Sequence, residues 1–196
     1  MIRFVLIFTS FIEGFSVMLL EIVAPKMIAP LYGSSMYVWS SVISVSVGSL
    51  AIGYFWGGRL SKKAHIRRYL SLLACFCCIY TLLLPFFFKG LKDSLLVFEV
   101  KQGSLILSFI LLFPLLTCFG AMSPLIIQML SSMHRSSAFA GFVYAVSTVG
   151  GIIACIGGAF YMIPFLGVFN TVYVCGVLLF LIVFALILSF RIHNKE

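Results

Sequence analysis

The stretch 20-LEIVAPKMIAPLYGSSMYVWSSVISVSVGSLAIGYFWGGRLSKK-63 indicates the class of fold, because it combines long apolar runs with a few costly charges. Glu21 and Lys26 lie five residues apart in apolar sequence, and positive charges close the stretch. Hydrophobic residues make up 63% of the 196 positions and charged residues 9%, whereas a soluble domain carries roughly 25% charged residues. Such a chain lacks the polar surface that water requires. The composition predicts an integral membrane protein.

The whole chain divides into apolar segments of membrane-spanning length. A spanning helix needs about 20 mainly apolar residues. Six windows qualify, at about 4–24, 37–57, 69–88, 104–130, 139–162 and 171–190. The fourth contains Pro114 and Pro124, so we expect it to be kinked or broken. Segment 89–104 mixes charge with an apolar face and is predicted to form a short surface helix. We expect one all-α transmembrane domain over 1–196, a six-helix bundle.

Positive charge is distributed unevenly over the predicted loops. With the amino terminus in the cytoplasm, that side holds nine of the thirteen Lys and Arg residues, five of them between 59 and 68. Cytoplasmic loops of membrane proteins carry an excess of Lys and Arg. The sequence therefore predicts both termini on the cytoplasmic side of an inner or plasma membrane.

The second and fifth spans have similar glycine-rich sequences, 45-VSVGSLAIGYFWGG-58 and 146-VSTVGGIIACIGG-158. They are the middle spans of two three-helix halves and are predicted to run in opposite directions. One hypothesis is a 3+3 inverted repeat resembling half of a major-facilitator fold, a plan that transporters often use; a transporting form would then need a homo-oligomer. The other is that small residues recur only because they let helices pack closely in lipid.

Two acidic residues lie inside the first predicted span. Glu13 is near its middle, and Glu21 is eight residues further, which places the two carboxyl groups about 80° apart around a helix. An ionised acid at this depth costs a few kcal/mol, so each is expected to be protonated, paired or facing a wet cavity. For Glu21 two interpretations stay open, a structural ion pair with Lys26 and a ligand-binding role. Glu13 has no nearby cation in sequence and is the stronger ligand candidate.

Three aromatic residues, Tyr32, Tyr37 and Trp39, are predicted at the outer mouth of the second span. Rings at this depth are usually interfacial anchors. They are also suited to form an aromatic wall for an ammonium group, with the carboxylates behind it. The candidate ligand-binding residues are therefore Glu13, Glu21, Tyr32, Tyr37 and Trp39.

Signatures of catalysis, metal binding and nucleic-acid binding are missing from the sequence. It has no H-E-x-x-H, G-x-S-x-G or P-loop motif. Its six cysteines lie in apolar stretches, and no histidine near the Cys75–Cys78 cluster completes a metal site. The net charge of +8 is not gathered into the basic, aromatic-interleaved patch that nucleic acid needs. We expect no catalytic residue, metal or cofactor, and no nucleic-acid partner.

The segment from Glu21 to Trp39, followed by 53-GYFWGGRL-60, resembles the membrane domain of multispan spermidine synthase-like proteins, which are fusions of a major-facilitator-like domain with spermidine synthase. Segments 119–125, 144–150 and 163–167 are similar to later parts of that domain. The motif residues that carry the resemblance are Lys26, Pro30, Gly33, Gly57, Gly58 and Arg59. Lys62 stands where the family tends to have an acid, which puts any loop salt bridge built on that acid in doubt.

The resemblance implies a membrane protein that binds or translocates a polyamine or another small organic cation. The family's aminopropyltransferase domain would begin at about 191–196, where this chain stops. We therefore expect no enzymatic activity and a separate soluble aminopropyltransferase as partner. The alternative is a non-catalytic membrane anchor or scaffold for a partner protein.

Overall fold

The fold is known from a computed structural model that describes residues 2–95, 97–134 and 138–193. All regular elements in these residues are helical. They are α1 (Ile2–Tyr32), α2 (Met36–Leu60), α3 (Ile66–Leu95), α4 (Val100–His134), α5 (Ala138–Gly157), α6 (Ile163–Leu166) and α7 (Val168–His193). A π-helical turn, Gly158–Met162, joins α5 to α6 without interrupting the helical path.

Six helical spans are long and apolar enough to cross a membrane. They are Ile2–Tyr32, Met36–Leu60, Ile66–Lys92, Val100–Ser132, Phe139–Leu166 and Val168–Arg191. Each contains one of the predicted windows, and the fifth combines α5, the π-helical turn and α6. The prediction of an all-α six-helix bundle is confirmed, and the chain is a multi-pass integral membrane protein.

Three local predictions need correction. Segment 89–104 forms no separate surface helix, because residues 89–95 end α3 and the next helix already begins at Val100. The fourth span is not broken, since Pro114 and Pro124 both lie within α4, whereas a kink at either proline stays a prediction. The first span does not stop before Pro25 but continues to Tyr32. Proline is tolerated in spanning helices because packed neighbours and local backbone adjustments satisfy the freed carbonyl groups.

A very short turn joins α1 to α2. Gly33 has a φ of 74°, and its N–H donates to the Ala29 carbonyl at 2.8 Å, as expected for a glycine that ends a helix in the left-handed region. Ser35 then caps α2, and its hydroxyl accepts a hydrogen bond from the Val38 N–H. The turn therefore spans only 33–35 and places α2 directly beside the end of α1.

The two central helices of the bundle are α1 and α4, which pack against each other. Helix α2 packs mainly on α4, and α5 packs mainly on α1. On the other side, α3 packs on α4, α7 packs on α1, and α3 and α7 contact each other. If α1 is exchanged with α4, α2 with α5, and α3 with α7, the same set of helix pairs results. The arrangement is the one a 3+3 repeat would produce, and the repeat itself stays a prediction.

Glycines lie where pairs of helices approach each other most closely. On α2, Gly53 and Gly57 face the backbone of α4 at Gly120 and Ala121. On the other pair, Gly14 of α1 faces Ser147 of α5, and Gly150 of α5 faces the backbone of Phe11. Backbones this close leave no space for a Cβ atom, as expected for small residues at helix contacts in lipid.

Candidate functional site

Glu13 lies where α1 crosses α4 in the centre of the bundle. Only 4% of the residue is exposed. The Ser123 hydroxyl on α4 donates a hydrogen bond to Glu13 Oε1 at 2.6 Å. The other carboxyl oxygen, Oε2, is buried and has no hydrogen-bond partner within the described part of the chain. A buried carboxyl group with one unsatisfied oxygen is unfavourable unless something else compensates it.

The residue after Glu13 determines which helix lies beside it. Gly14 has no side chain, so α5 approaches α1 until Ser147 lies directly against the Gly14 backbone. One turn further along α5, Gly151 lies against Met18 of α1. This close approach brings the polar residues of α5 to the same depth as the Glu13 carboxyl group.

A partly open cavity of about 370 Å³ lies between α1, α2 and α5, and Glu13 is part of its wall. Small-molecule sites in proteins usually have volumes of about 300–1,000 Å³. The wall is mostly apolar, with a few polar groups. It is formed by Glu13, Gly14, Val17, Met18, Leu50, Tyr54, Tyr144, Ser147, Thr148, Gly151, Ile152, Cys155 and Ile156.

Two tyrosines face this cavity from different helices, Tyr54 from α2 and Tyr144 from α5. They are 41% and 46% exposed. Tyr54 lies within electrostatic range of both Glu13 and Tyr144. The Thr148 hydroxyl donates to the Tyr144 carbonyl, which leaves its oxygen free to accept a further hydrogen bond. The cavity thus combines one carboxyl group, two phenol rings and hydroxyl oxygens on apolar walls.

These groups are suited to binding a ligand. The lining contains no histidine or lysine, and its titratable side chains are those of Glu13, Tyr54, Tyr144 and Cys155. Among residues 2–95, 97–134 and 138–193, no group of three or more His, Cys, Asp or Glu side chains could hold a metal ion. A cavity lined by a carboxyl group and aromatic rings is a favourable environment for an organic ammonium group.

Glu21 lies outside this cavity. It is partly buried on α1, beside the Ser46 hydroxyl of α2. Its side chain forms no ion pair with Lys26, which is exposed. The reason is that α1 continues as a helix through Pro25, so five residues separate the two side chains by about 140° around the axis. The structural ion pair of Glu21 with Lys26 is therefore not present in this structure.

The three aromatic candidates lie near the α1–α2 turn, away from the cavity. Tyr32 is buried, and its hydroxyl donates to the Leu95 carbonyl at 2.5 Å. It is nineteen residues from Glu13, which corresponds to about 28 Å along a helix. Tyr37 and Trp39 are exposed in the first turn of α2, and the Lys101 ammonium lies 5.1 Å from the Tyr37 ring. The five predicted ligand residues are thus not gathered around one cavity.

Among the motif residues, neighbours on α2 have different environments. Gly57 lies against Ala121 of α4, whereas a Cβ at Gly58 would meet nothing within 4 Å. The Arg59 guanidinium lies 4.0 Å from the centre of the Phe55 ring. Gly33 forms the turn, and Pro30 is exposed near the end of α1. Of these residues, Gly33 shapes the α1–α2 turn and Gly57 the contact of α2 with α4.

Sequence reasoning missed Tyr54 and Tyr144 of the cavity lining and Ser123, the hydrogen-bond donor to Glu13. They come from three different helices and converge on Glu13 only after the helices pack. One signal for this site is present in the sequence. Ser147 and Thr148, which line the cavity, lie just before the glycines of α5, in the segment that is similar to α2.

The chain was compared with known proteins. No family model, curated protein or solved structure matches it. The fold and the site are therefore interpreted from their own geometry, and the resemblance of 21–60 to spermidine synthase-like membrane domains stays a prediction.

Proposed function

We propose that this membrane protein binds a small organic cation in the cavity at Glu13 and carries it across the membrane. The single observation that supports this most is the carboxyl group of Glu13: the residue lines the cavity, and its Oε2 atom is buried without a hydrogen-bond partner in the described residues. A ligand that brings N–H donors and positive charge would satisfy this oxygen, and hydrogen bonds to charged groups are among the stronger ones.

The remaining lining supports a cation with an apolar body. Tyr54 and Tyr144 offer ring faces to an ammonium group, an interaction worth about 0.5–2 kcal/mol. Val17, Met18 and Ile152 offer apolar surface to methylene groups. A polyamine has both parts, and the resemblance of 21–60 points to the same class of ligand. A separate soluble aminopropyltransferase on the cytoplasmic side is the partner that this proposal implies.

Movement across the membrane requires a second conformation. The pairing of α2 with α4 and of α5 with α1 supports an inverted repeat, in which two similar halves exchange conformations around a central site. We place both termini in the cytoplasm of an inner or plasma membrane, following the excess of Lys and Arg on that side.

A non-catalytic anchor or scaffold is the second candidate, and one contact favours it. The Ser123–Glu13 hydrogen bond joins α4 to α1 in the bundle centre without any ligand. In this alternative Glu13 is a structural cross-link, and a partner protein would bind elsewhere on the bundle.

Binding and flux in proteoliposomes test the proposal. Glu13→Gln keeps the size of the side chain but removes its ability to carry a negative charge, so we expect polyamine binding to weaken about tenfold or more. Glu21→Gln should have a smaller effect because Glu21 is not in the cavity lining. Glu99→Gln is the matched control, since Glu99 is exposed between α3 and α4.

Two outcomes would reject this function. One is the absence of polyamine binding and flux in the wild-type protein. The other is unchanged binding and flux in Glu13→Gln, whatever the effect of Glu21→Gln. In either case the scaffold interpretation would be preferred, with Glu13 acting only through its contact with α4.

A further inference from the structure

A second pocket lies at one end of the bundle, between the start of α3 and the end of α7. Its volume is about 680 Å³. Its lining is formed by Ala64, His65, Ile66, Arg67, Arg68, Ser71, Ile187 and Phe190. None of these described lining residues is acidic, so the described lining combines positive charge with an apolar wall.

The basic lining residues all come from the start of α3 or from the residue just before it. Arg67 is held toward α7, because its guanidinium lies 6.0 Å from the Phe190 ring centre. Arg68 and His65 are exposed at the rim. Arg59, Lys62 and Lys63, in the same 59–68 segment of the chain, add three more positive charges. The pocket therefore attracts anions.

The start of α3 adds hydrogen-bond donors to these charges. Its first helical hydrogen bond is donated by Tyr69 N–H to the His65 carbonyl, so the backbone N–H groups of the preceding turn have no acceptor within the helix. Oxygen atoms of a phosphate group are well suited to such donors when arginine side chains lie beside them.

The apolar wall continues away from the charged rim. Ile187 is 46% exposed, and Phe190 and Ile66 are partly buried beside it. Ile187 and Phe190 belong to the apolar span of α7. A ligand with a phosphate headgroup and an acyl chain would contact the arginines with one part and the α7 surface with the other.

We propose that this pocket binds the phosphate group of an anionic phospholipid, held by Arg67 and Arg68, with an acyl chain lying against Ile187 and Phe190. Basic pockets between spanning helices bind anionic headgroups by this combination. This site is separate from the cavity at Glu13 and does not depend on the proposed transport function.

Native mass spectrometry and thermal unfolding in detergent test this site. The purified, delipidated protein is titrated with phosphatidylglycerol and with zwitterionic phosphatidylcholine. We expect phosphatidylglycerol to bind more tightly and to raise the melting temperature. In Arg67→Gln/Arg68→Gln its dissociation constant should rise about 25-fold, since each basic side chain contributes roughly a fivefold factor.

The control variant removes the same charge elsewhere. Lys89→Gln/Lys101→Gln changes two cations at the other end of the bundle, at the end of α3 and the start of α4, and should keep the wild-type affinity. The variant Arg67→Lys/Arg68→Lys keeps both positive charges. It should therefore bind phosphatidylglycerol more tightly than Arg67→Gln/Arg68→Gln, and it serves as the test variant if the glutamine variant is unstable. Equal loss in the control and the test variant, or equal binding of the two lipids, would overturn the site.

Inorganic phosphate distinguishes the two possible sources of the phosphate group. Retention of phosphatidylglycerol in an excess of inorganic phosphate supports the lipid assignment, because the acyl chain then contributes to binding. Complete displacement would overturn it in favour of a free phosphate ligand.

Discussion

Gly57→Ala is expected to destabilise the bundle strongly, whereas Gly58→Ala leaves its stability unchanged or slightly higher. A Cβ atom at Gly57 would lie 2.5 Å from the carbonyl oxygen and 2.7 Å from the Cα of Ala121 on α4. Both are backbone atoms, so α2 and α4 would have to separate. Overpacking of this kind typically costs about 1–3 kcal/mol and occasionally more.

Gly58 is a matched control because it is the next residue on the same helix. A Cβ there would meet nothing within 4 Å, and alanine favours a helix over glycine by up to about 1 kcal/mol. Thermal unfolding of both variants in the same detergent measures the difference. Equal melting temperatures for Gly57→Ala and Gly58→Ala would contradict the close α2–α4 contact.

Ser123→Ala is expected to destabilise the protein by about 1–3 kcal/mol, because it leaves both oxygens of the buried Glu13 carboxyl group without a partner. Removing both partners has a different consequence. In Glu13→Leu/Ser123→Ala neither partner of this hydrogen bond is left unsatisfied, so the free energy of unfolding should return close to the wild-type value.

This double variant separates structure from function. We expect it to fold like the wild type yet to bind no polyamine, since the carboxyl group is gone. Chemical unfolding of the wild type, both single variants and the double variant gives the coupling free energy between the two residues. An additive result, or a Ser123→Ala variant as stable as the wild type, would show that the hydrogen bond to Glu13 contributes little.

The six spans could be predicted from the sequence because length and hydropathy determine them almost alone. Their ends could not, and prolines and charges are the reason. Pro25 and Pro30 are typical of a loop, but packed neighbours let α1 continue to Tyr32. The charged residues of 89–104 suggested a surface helix, but they belong to the ends of α3 and α4. Where a helix ends inside a bundle depends on contacts that are distant in sequence.

The site was predictable only at its most costly residue. Glu13 was identified because a carboxyl group in the middle of an apolar span needs compensation. Its neighbours Tyr54 and Tyr144 are ordinary residues of apolar helices until the Gly14 contact brings α5 against α1. For Tyr32 the sequence leaves an interfacial anchor and a ligand-facing ring as alternatives, and in the structure its hydroxyl donates a hydrogen bond to the Leu95 carbonyl of α3.

The proposal that the cavity at Glu13 binds an organic cation can be tested by solid-state NMR. The experiment measures the distance between a ¹⁵N-labelled polyamine and ¹³C-labelled glutamate carboxyl carbons. In lipid bilayers we expect one strong contact, assigned to Glu13 by its loss in Glu13→Gln and its retention in Glu21→Gln. A contact that persists in Glu13→Gln, or no contact in the wild-type protein at saturating polyamine, would contradict the assignment of this cavity as a cation site.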